Sequence, residues 1–543
     1  MINTNSLGIL GQFYFNIKNS FKSIYQNSNF YEKKISKTFD NSFEYKPSPH
    51  LLSSLINYQT KKINVDDIVT DNLWDNENIN LKNFKRLNNF YWFFSLDLKS
   101  SKKNTQSIIS SWIKKNFKYN SNSWEFDTTS KRIIAWLSNH NLTYDESNKE
   151  YQDLFNGMIQ KQTNHLMEEI HKSELEDEKI IGCAAIILSG LCYNDEKNYL
   201  NFGLNFLKKI SKNSFDNNGL PKSRDIRQLI FYLKYFILIR EWFRESQIQV
   251  PELINETIYY LGQGYAFIWQ NIKFDVLMNG NIKSNNSEFD HYLKRFDYKF
   301  KNENKEFGGY AVLYDKKTSL VMDMGSPPNS KYSKNYQSGT LSFEINSNGK
   351  KLISNCGYHN GKNLKLKKLS KSTATHSTLI LDNHSSITYE KLDKENFIVN
   401  NGLKIFNKNI VFEKNYWMLT ASHNGYQKKY NSIHERKIEF FPQDYKFVGT
   451  DKIFNKKKGS NIKFEIRFHL EPGVKLVKTQ DNKTILIELE DEGWKFACDN
   501  FDINIDSGLY FGDKNQYTQN QNIFISGITN SQNENVVWNL NKI

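Results

Sequence analysis

Proline and cysteine are scarce in this chain of 543 amino acids and long apolar runs are missing, and each shortage rules something out. Eight prolines are too few for an extended proline-rich linker, and no Ser/Gly/Pro stretch separates one part of the chain from another. Two large domains packing directly on each other are the expectation at this length. The four cysteines (Cys183, Cys192, Cys356, Cys498) lie far apart with no C-x-x-C pair, which argues against a zinc knuckle or a disulfide framework and for buried thiols. No run of 18 apolar residues occurs, so no transmembrane helix is expected. The opening residues MINTNSLGILGQFYFNIKNS lack a basic start and an A-x-A-like site. A cytoplasmic protein is the plain expectation, with the periplasm or cell envelope as the alternative. Phosphate-binding glycine loops, H-E-x-x-H and G-x-S-x-G are all missing.

Acidic residues are also outnumbered. Net charge is +14, and a basic surface concentrates anionic partners of several kinds. Of the 73 basic residues only nine are arginines, the remaining 64 being lysines spread along the chain. The arginines are therefore the sharper clue, because a guanidinium is favoured where planar, two-pronged contact with carboxylate or sulfate matters. Basic residues are not interleaved with aromatics in the manner of a nucleic-acid module, so no specific nucleic acid is expected.

Aromatic residues are plentiful at 15% and support globular cores. Apolar residues recur at helical spacing through Ile108, Ile109, Trp112 and Ile113, through Ile133, Ile134, Trp136 and Leu137, and through Ile181, Ala184, Ala185, Leu188 and Leu191. Near residue 300 the period shortens. Tyr310–Tyr314, Ser319–Asp323, Thr340–Ile345, Ser377–Leu381, Ile433–Phe441, Ile462–His469 and Thr484–Leu489 read as short strands between turn residues. The expected fold class is α+β: helical hairpins over 1–295, an antiparallel stacked β-sandwich over 300–543, and a boundary between Asp290 and Phe307.

Several words in the second half carry a resemblance. They are Gly309-Tyr310-Ala311-Val312-Leu313, Asp323-Met324-Gly325 with Pro327 and Pro328, Ser338-Gly339-Thr340-Leu341-Ser342-Phe343-Glu344, Asn355-Cys356-Gly357 and Thr373-Ala374-Thr375-His376. Later come Ala421-Ser422-His423-Asn424-Gly425-Tyr426 and His434-Glu435-Arg436, and in the first half Trp124 through Arg132 to Trp136. In order and spacing these resemble the heparinase II/III-like polysaccharide lyases. The resemblance implies an incomplete (α/α) toroid before the sandwich, an acidic polysaccharide or oligosaccharide held in a cleft between them, and β-elimination at a uronic acid. It also implies a zinc site of two His and one Asp, whose positions fall on Gln337, Asn355 and His376. Two neutral amides and one imidazole are a poor set for zinc, so no metal or other cofactor is expected.

The same resemblance marks site residues. Tyr336 and His376 are candidates for proton transfer, Tyr336 with a stacking role as its alternative and His376 with a structural one, its ring bonding the two amides. Arg227 falls where relatives hold a catalytic tyrosine, after the word Asn218-Gly219-Leu220-Pro221-Lys222-Ser223-Arg224. Arg224, Arg227 and Arg436 suit a uronate carboxylate, or else ion pairs at the domain interface. Gln337, His423 and Tyr426 are further substrate-contact candidates, the last two also as turn and packing residues. His165 imitates an Asn-His word and is expected to play no catalytic part. Turnover, a glycan-binding protein without turnover, and charge-driven nucleic-acid binding all remain open, and the oligomeric state is not readable.

Overall fold

The computed structural model describes residues 20–37, 42–56, 73–74, 79–97, 99–173, 176–194, 196–284, 286–393, 396–455, 461–513, 516–530 and 532–543. The opening residues 1–19, read above for an export signal, lie outside this set. Among the described residues no helix is long and apolar enough to cross a membrane.

Packing divides the chain into two units, and the division is not a single cut. One unit takes 1–213, 231–258 and 286–298; the other takes 214–230, 259–285 and 299–543. The boundary expected between Asp290 and Phe307 thus passes over two front-half segments, 214–230 and 259–285, that pack with the sheets.

The first unit is helical. Its helix Phe126–Ser138 begins where the Glu125 carboxylate accepts the backbone N–H of Thr128, filling the N-cap role more often taken by Asp, Asn, Ser or Thr. Arg132 on this helix is fully buried, donating to Gln162 Oε1 at 2.6 Å and to the carbonyls of Asn88 and Ser123 at 2.9 Å, above the Trp112 ring. The helix Glu176–Cys192 departs from its expected one-sided face, because every residue from Ile180 to Cys192 is buried. Its apolar residues run all round, so the helix is enclosed. Gly182 allows this closeness: a Cβ there would lie 2.4 Å from the Phe126 ring. His165 is buried between the Tyr31 hydroxyl (2.7 Å) and the Trp124 carbonyl (2.9 Å), and burial pushes its pKa down to about 4. It is a neutral packing histidine.

The second unit is built of antiparallel sheets. One has five strands in chain order from Glu306–Phe307 to Lys350–Ile353; a second has eight; a third has four, among them Leu379–Leu381 and Lys463–His469. In the eight-stranded sheet Ser432–Phe441 and Lys446–Asn455 alternate buried and partly exposed residues along their length, the period-two signature of a sheet with one inward face. The inward residues of all three sheets form one core, with Phe343, Phe468, Phe496 and Trp538 in mutual ring contact. Gly449 lies directly opposite Trp538, and a Cβ there would meet the indole at 2.0 Å.

Candidate functional site

The second unit is held together by a buried ion pair. Arg224 has φ +58° and points its guanidinium inward, where Nη2 meets Asp323 Oδ1 at 2.6 Å. Its other N–H groups donate to the carbonyls of Gly308, Gly309 and Gly325 at 3.0–3.2 Å. A Cβ on Gly325 would lie 2.3 Å from Arg224 Cζ, so these glycines are the space the guanidinium occupies. Asn279 donates to Asp323 Oδ2 (3.0 Å), and the Tyr310 hydroxyl donates to the Arg224 carbonyl (2.6 Å). Arg224 is therefore spent inside the fold and does not present itself to a substrate carboxylate.

Most of the other expected contacts are likewise sealed. Arg436 is fully buried directly opposite Asp451, bonding its carboxylate through Nε at 2.8 Å and the Leu341 and Ser377 carbonyls through Nη1. His434 Nε2 donates to the same carboxylate (2.7 Å), which leaves Nδ1 to accept from His423 Nε2 at 3.2 Å; His423 Nδ1 in turn accepts the Gly425 N–H. Burial drives both rings toward the neutral form. Tyr426 donates to the Leu379 carbonyl at 2.7 Å. Arg436 and His423 thus belong to a buried polar network of the sandwich in which Arg436 Nη2 meets no partner, Tyr426 is tied separately to a backbone carbonyl, and the role of all three as substrate contacts is corrected accordingly. Tyr336 is 1% exposed, with a hydroxyl that meets no partner, and burial raises its phenol pKa, opposite to what a base would need.

The three positions of the implied zinc do not fit a metal. Gln337 Oε1 accepts the Gly280 N–H (3.0 Å) while its Nε2 donates to the Gly357 and Ser370 carbonyls (3.0 and 2.6 Å). Asn355 Oδ1 accepts from the Ser377 N–H at 2.8 Å. His376 donates through Nδ1 to the Ser372 carbonyl (2.9 Å), leaving Nε2 as the one uncommitted donor atom of the set. The expected bonding of the ring to the two amides is not what forms: each side chain has found a separate backbone partner. Among the described residues no three His, Cys, Asp or Glu side chains gather as a metal site.

One expected residue does keep an open side chain. Arg227, in the first turn of the helix Ile226–Glu245, has a third of its side chain exposed, with Nη2 3.8 Å from Asp225 Oδ2. Asp225 caps that turn by accepting the Gln228 N–H (3.2 Å) and also accepts from Asn335 Nδ2 (2.9 Å). Tyr358 then donates to Asn335 Oδ1 at 3.3 Å. The result is a chain Arg227–Asp225–Asn335–Tyr358 from a partly open cation to a buried phenol. Gly280 gives it room, since a Cβ there would lie 2.9 Å from Asp225 Oδ2. Burial raises the Tyr358 phenol pKa and Arg227 opposes that, so the group keeps its proton at neutral pH and is a donor. Behind it, Lys371 donates to the Tyr336 carbonyl (2.7 Å) and lies 6.0 Å from the Tyr358 ring centre. Burial first, and Lys367 second, push its ammonium pKa well below the usual lysine range.

Sequence reasoning missed Asp225, Asn335, Tyr358 and Lys371. The signals were small: Asn335 stands two residues before Gln337, and Tyr358 directly follows the Asn355-Cys356-Gly357 word.

With this geometry in hand, residues 305–539 match the family model described as heparinase II/III-like, C-terminal. This segment is a heparinase II/III-like C-terminal domain. The fold of the longer chain agrees. A heparinase III structure superposes with a TM-score of 0.69 at 15% identity, covering 90% of this chain and 87% of that one. A heparan sulfate lyase HepC mutant from Pedobacter heparinus gives 0.66 at 14% identity, covering 94% and 85%. A second heparinase III structure gives 0.64 at 15%, covering 90% and 80%. No protein in the curated set matches the sequence. At such identities the likeness establishes the toroid-and-sandwich fold, within which the heparinase-like domain of this chain has its own side-chain arrangement.

Proposed function

We propose that the second unit, the heparinase-like domain together with the segment 214–230 that packs with it, binds a uronate-bearing acidic polysaccharide at Arg227 and cleaves it by β-elimination. The observation that carries this reading is the chain from the partly exposed Arg227 guanidinium through Asp225 and Asn335 to the protonated Tyr358. Arg227 would pair the uronate carboxylate, withdrawing charge and acidifying the proton at C5. With hydroxide from solvent taking that proton to form water, the C4–O bond breaks with its electron pair, a C4=C5 double bond forms, and Tyr358 delivers its proton to the departing oxygen and regains one from water. A heparinase III and a heparan sulfate lyase of the same fold make an acidic glycan the substrate class to test first. The reading needs no metal.

A second reading, binding without turnover, is favoured by one specific observation. Tyr358 holds its proton and Asp225 is engaged by Asn335 and the helix cap, so the cluster offers no evident base for the C5 proton. Incubation with a panel of uronate polymers separates the two. Appearance of the ultraviolet-absorbing unsaturated end, with kcat reduced about 10²–10⁴-fold in Tyr358→Phe, supports the lyase. Folded native protein that binds the polymers and yields no unsaturated product refutes it.

A further inference from the structure

Between Glu344 and Asp382 the chain contains no carboxylate, while seven lysines fall in the interval: Lys350, Lys351, Lys362, Lys365, Lys367, Lys368 and Lys371. The first two are neutralised. Lys351 pairs with Glu344 at 3.0 Å and Lys350 with Glu490, both at the edge of a groove of about 800 Å³ whose Lys283 also pairs with Glu471. That groove is therefore balanced in charge and has no excess for an anion.

The other lysines differ. Lys362 precedes the short helix Leu364–Ser370, and Lys365 and Lys368 lie three residues apart on it, on one face and about 4.5 Å apart along the axis. All three are exposed, and among the described residues none takes part in an ion pair. Like charges at this spacing repel, and the helix carries no acidic residue to relieve them. A further lysine of the helix, Lys367, donates to Asn396 Oδ1 at 3.1 Å and, after burial, lowers the pKa of both His359 and Lys371.

The helix is also fastened to the candidate site. Its last carbonyl, that of Ser370, accepts from Gln337 Nε2, and the following Lys371 donates to the Tyr336 and Ser333 carbonyls. Tyr358 thus has Lys371 near its ring on one side and feels Arg227 on the other. These bonds hold the C-terminal end of the helix to the segment that carries Tyr336 and Gln337.

We infer that Lys362, Lys365 and Lys368 form an anion-holding subsite for a sulfated or carboxylated polysaccharide, gripping units of the same polymer beyond the one at Arg227. The inference rests on the glycan reading above and deepens it: a polymer charged on successive sugars offers these three ammonium groups anionic partners that a single uronate at Arg227 does not. Binding should carry a strong salt dependence, since each ammonium that meets an anion releases counterions.

The test uses the full chain and reads binding, not turnover. Fluorescence anisotropy with labelled dextran sulfate, polygalacturonate and neutral dextran is compared between native protein and Lys362→Gln/Lys365→Gln/Lys368→Gln. The triple variant, with an unchanged melting curve, should bind at least one acidic polymer about tenfold or more weakly at physiological salt, with the slope of log K against log salt reduced by about 2–3. Affinity and slope unmoved by the variant overturn the inference. So does native protein that binds double-stranded DNA as tightly as dextran sulfate with an equal loss in the variant, which would mark the face as a nonspecific cation sink. Failure of the lyase reading looks different: no unsaturated product from native protein while polymer binding still responds to the three lysines.

Discussion

His376 offers a test in which the sign, the size and the pH window all follow from its surroundings. Its ring is fully buried against Gly339 with Nδ1 donating to the Ser372 carbonyl, and burial pushes its pKa down to about 4. In the unfolded chain the same ring titrates near 6.5. Because the folded value is the lower one, the contribution is present above about pH 6.5 and is lost as pH falls toward 4. At pH 5 the unfolded ring is mostly charged and the folded ring mostly neutral, a ratio of about 30 in proton binding, or about 2 kcal/mol; at pH 7 the figure is about 0.2 kcal/mol. His165, also about 4, and His469, about 3, follow the same sign. His376 and His469, which share the sheet-built unit, together remove about 4 kcal/mol between pH 7 and pH 5, a large part of the 5–15 kcal/mol typical of a domain, while His165 acts on the helical unit. His376→Gln removes one titrating ring. Whatever it costs at pH 7 through the lost Nδ1 bond, that cost should shrink by about 2 kcal/mol at pH 5. Chemical denaturation followed by near-ultraviolet circular dichroism at both pH values measures the difference. Parallel stability curves for native protein and variant across this range would refute the assignment of His376 as a buried, neutral ring.

Two further outcomes are expected. Asp323→Asn leaves the Arg224 guanidinium buried without its counter-charge, so stability should fall by about 3–5 kcal/mol, read from the denaturation midpoint; a loss below about 1 kcal/mol would mean the pair is not the keystone its geometry implies. Chelation with EDTA should leave the melting temperature unchanged, because Gln337 and Asn355 have committed their amides to backbone partners; a drop on chelation, restored by zinc, would show that the triad still holds metal.

How far the sequence could be read depended on whether a feature was local. Thr484–Leu489 was legible because its alternation is bounded by turn residues, and Asn482 and Glu490 on either side both have positive φ. The strands Ile405–Glu413 and Asn533–Lys542 escaped notice because asparagines and other polar residues on their outer face dilute the pattern. Site residues divide along the same line. Arg436 looked like a carboxylate binder because its partner, Asp451, comes fifteen positions later and is brought opposite only by strand register. Nothing near it in sequence announces that the charge is already satisfied.

The Arg224 cage carries the argument a step further. The words around Gly309 and Asp323-Met324-Gly325 carried the family resemblance, and in this chain each serves to house one guanidinium: the glycines withhold a Cβ where it lies, and the aspartate neutralises it. A recognisable word can be a packing instruction as readily as a chemical one, since a buried charge tolerates fewer substitutions around it than an exposed one. Chemistry toward a flexible polymer needs the opposite property, side chains whose charge the fold has left unspent. By that criterion the informative positions are the plain ones, Arg227 with its loose 3.8 Å partner and the unpaired Lys362, Lys365 and Lys368, where a carboxylate or sulfate can still be the better partner.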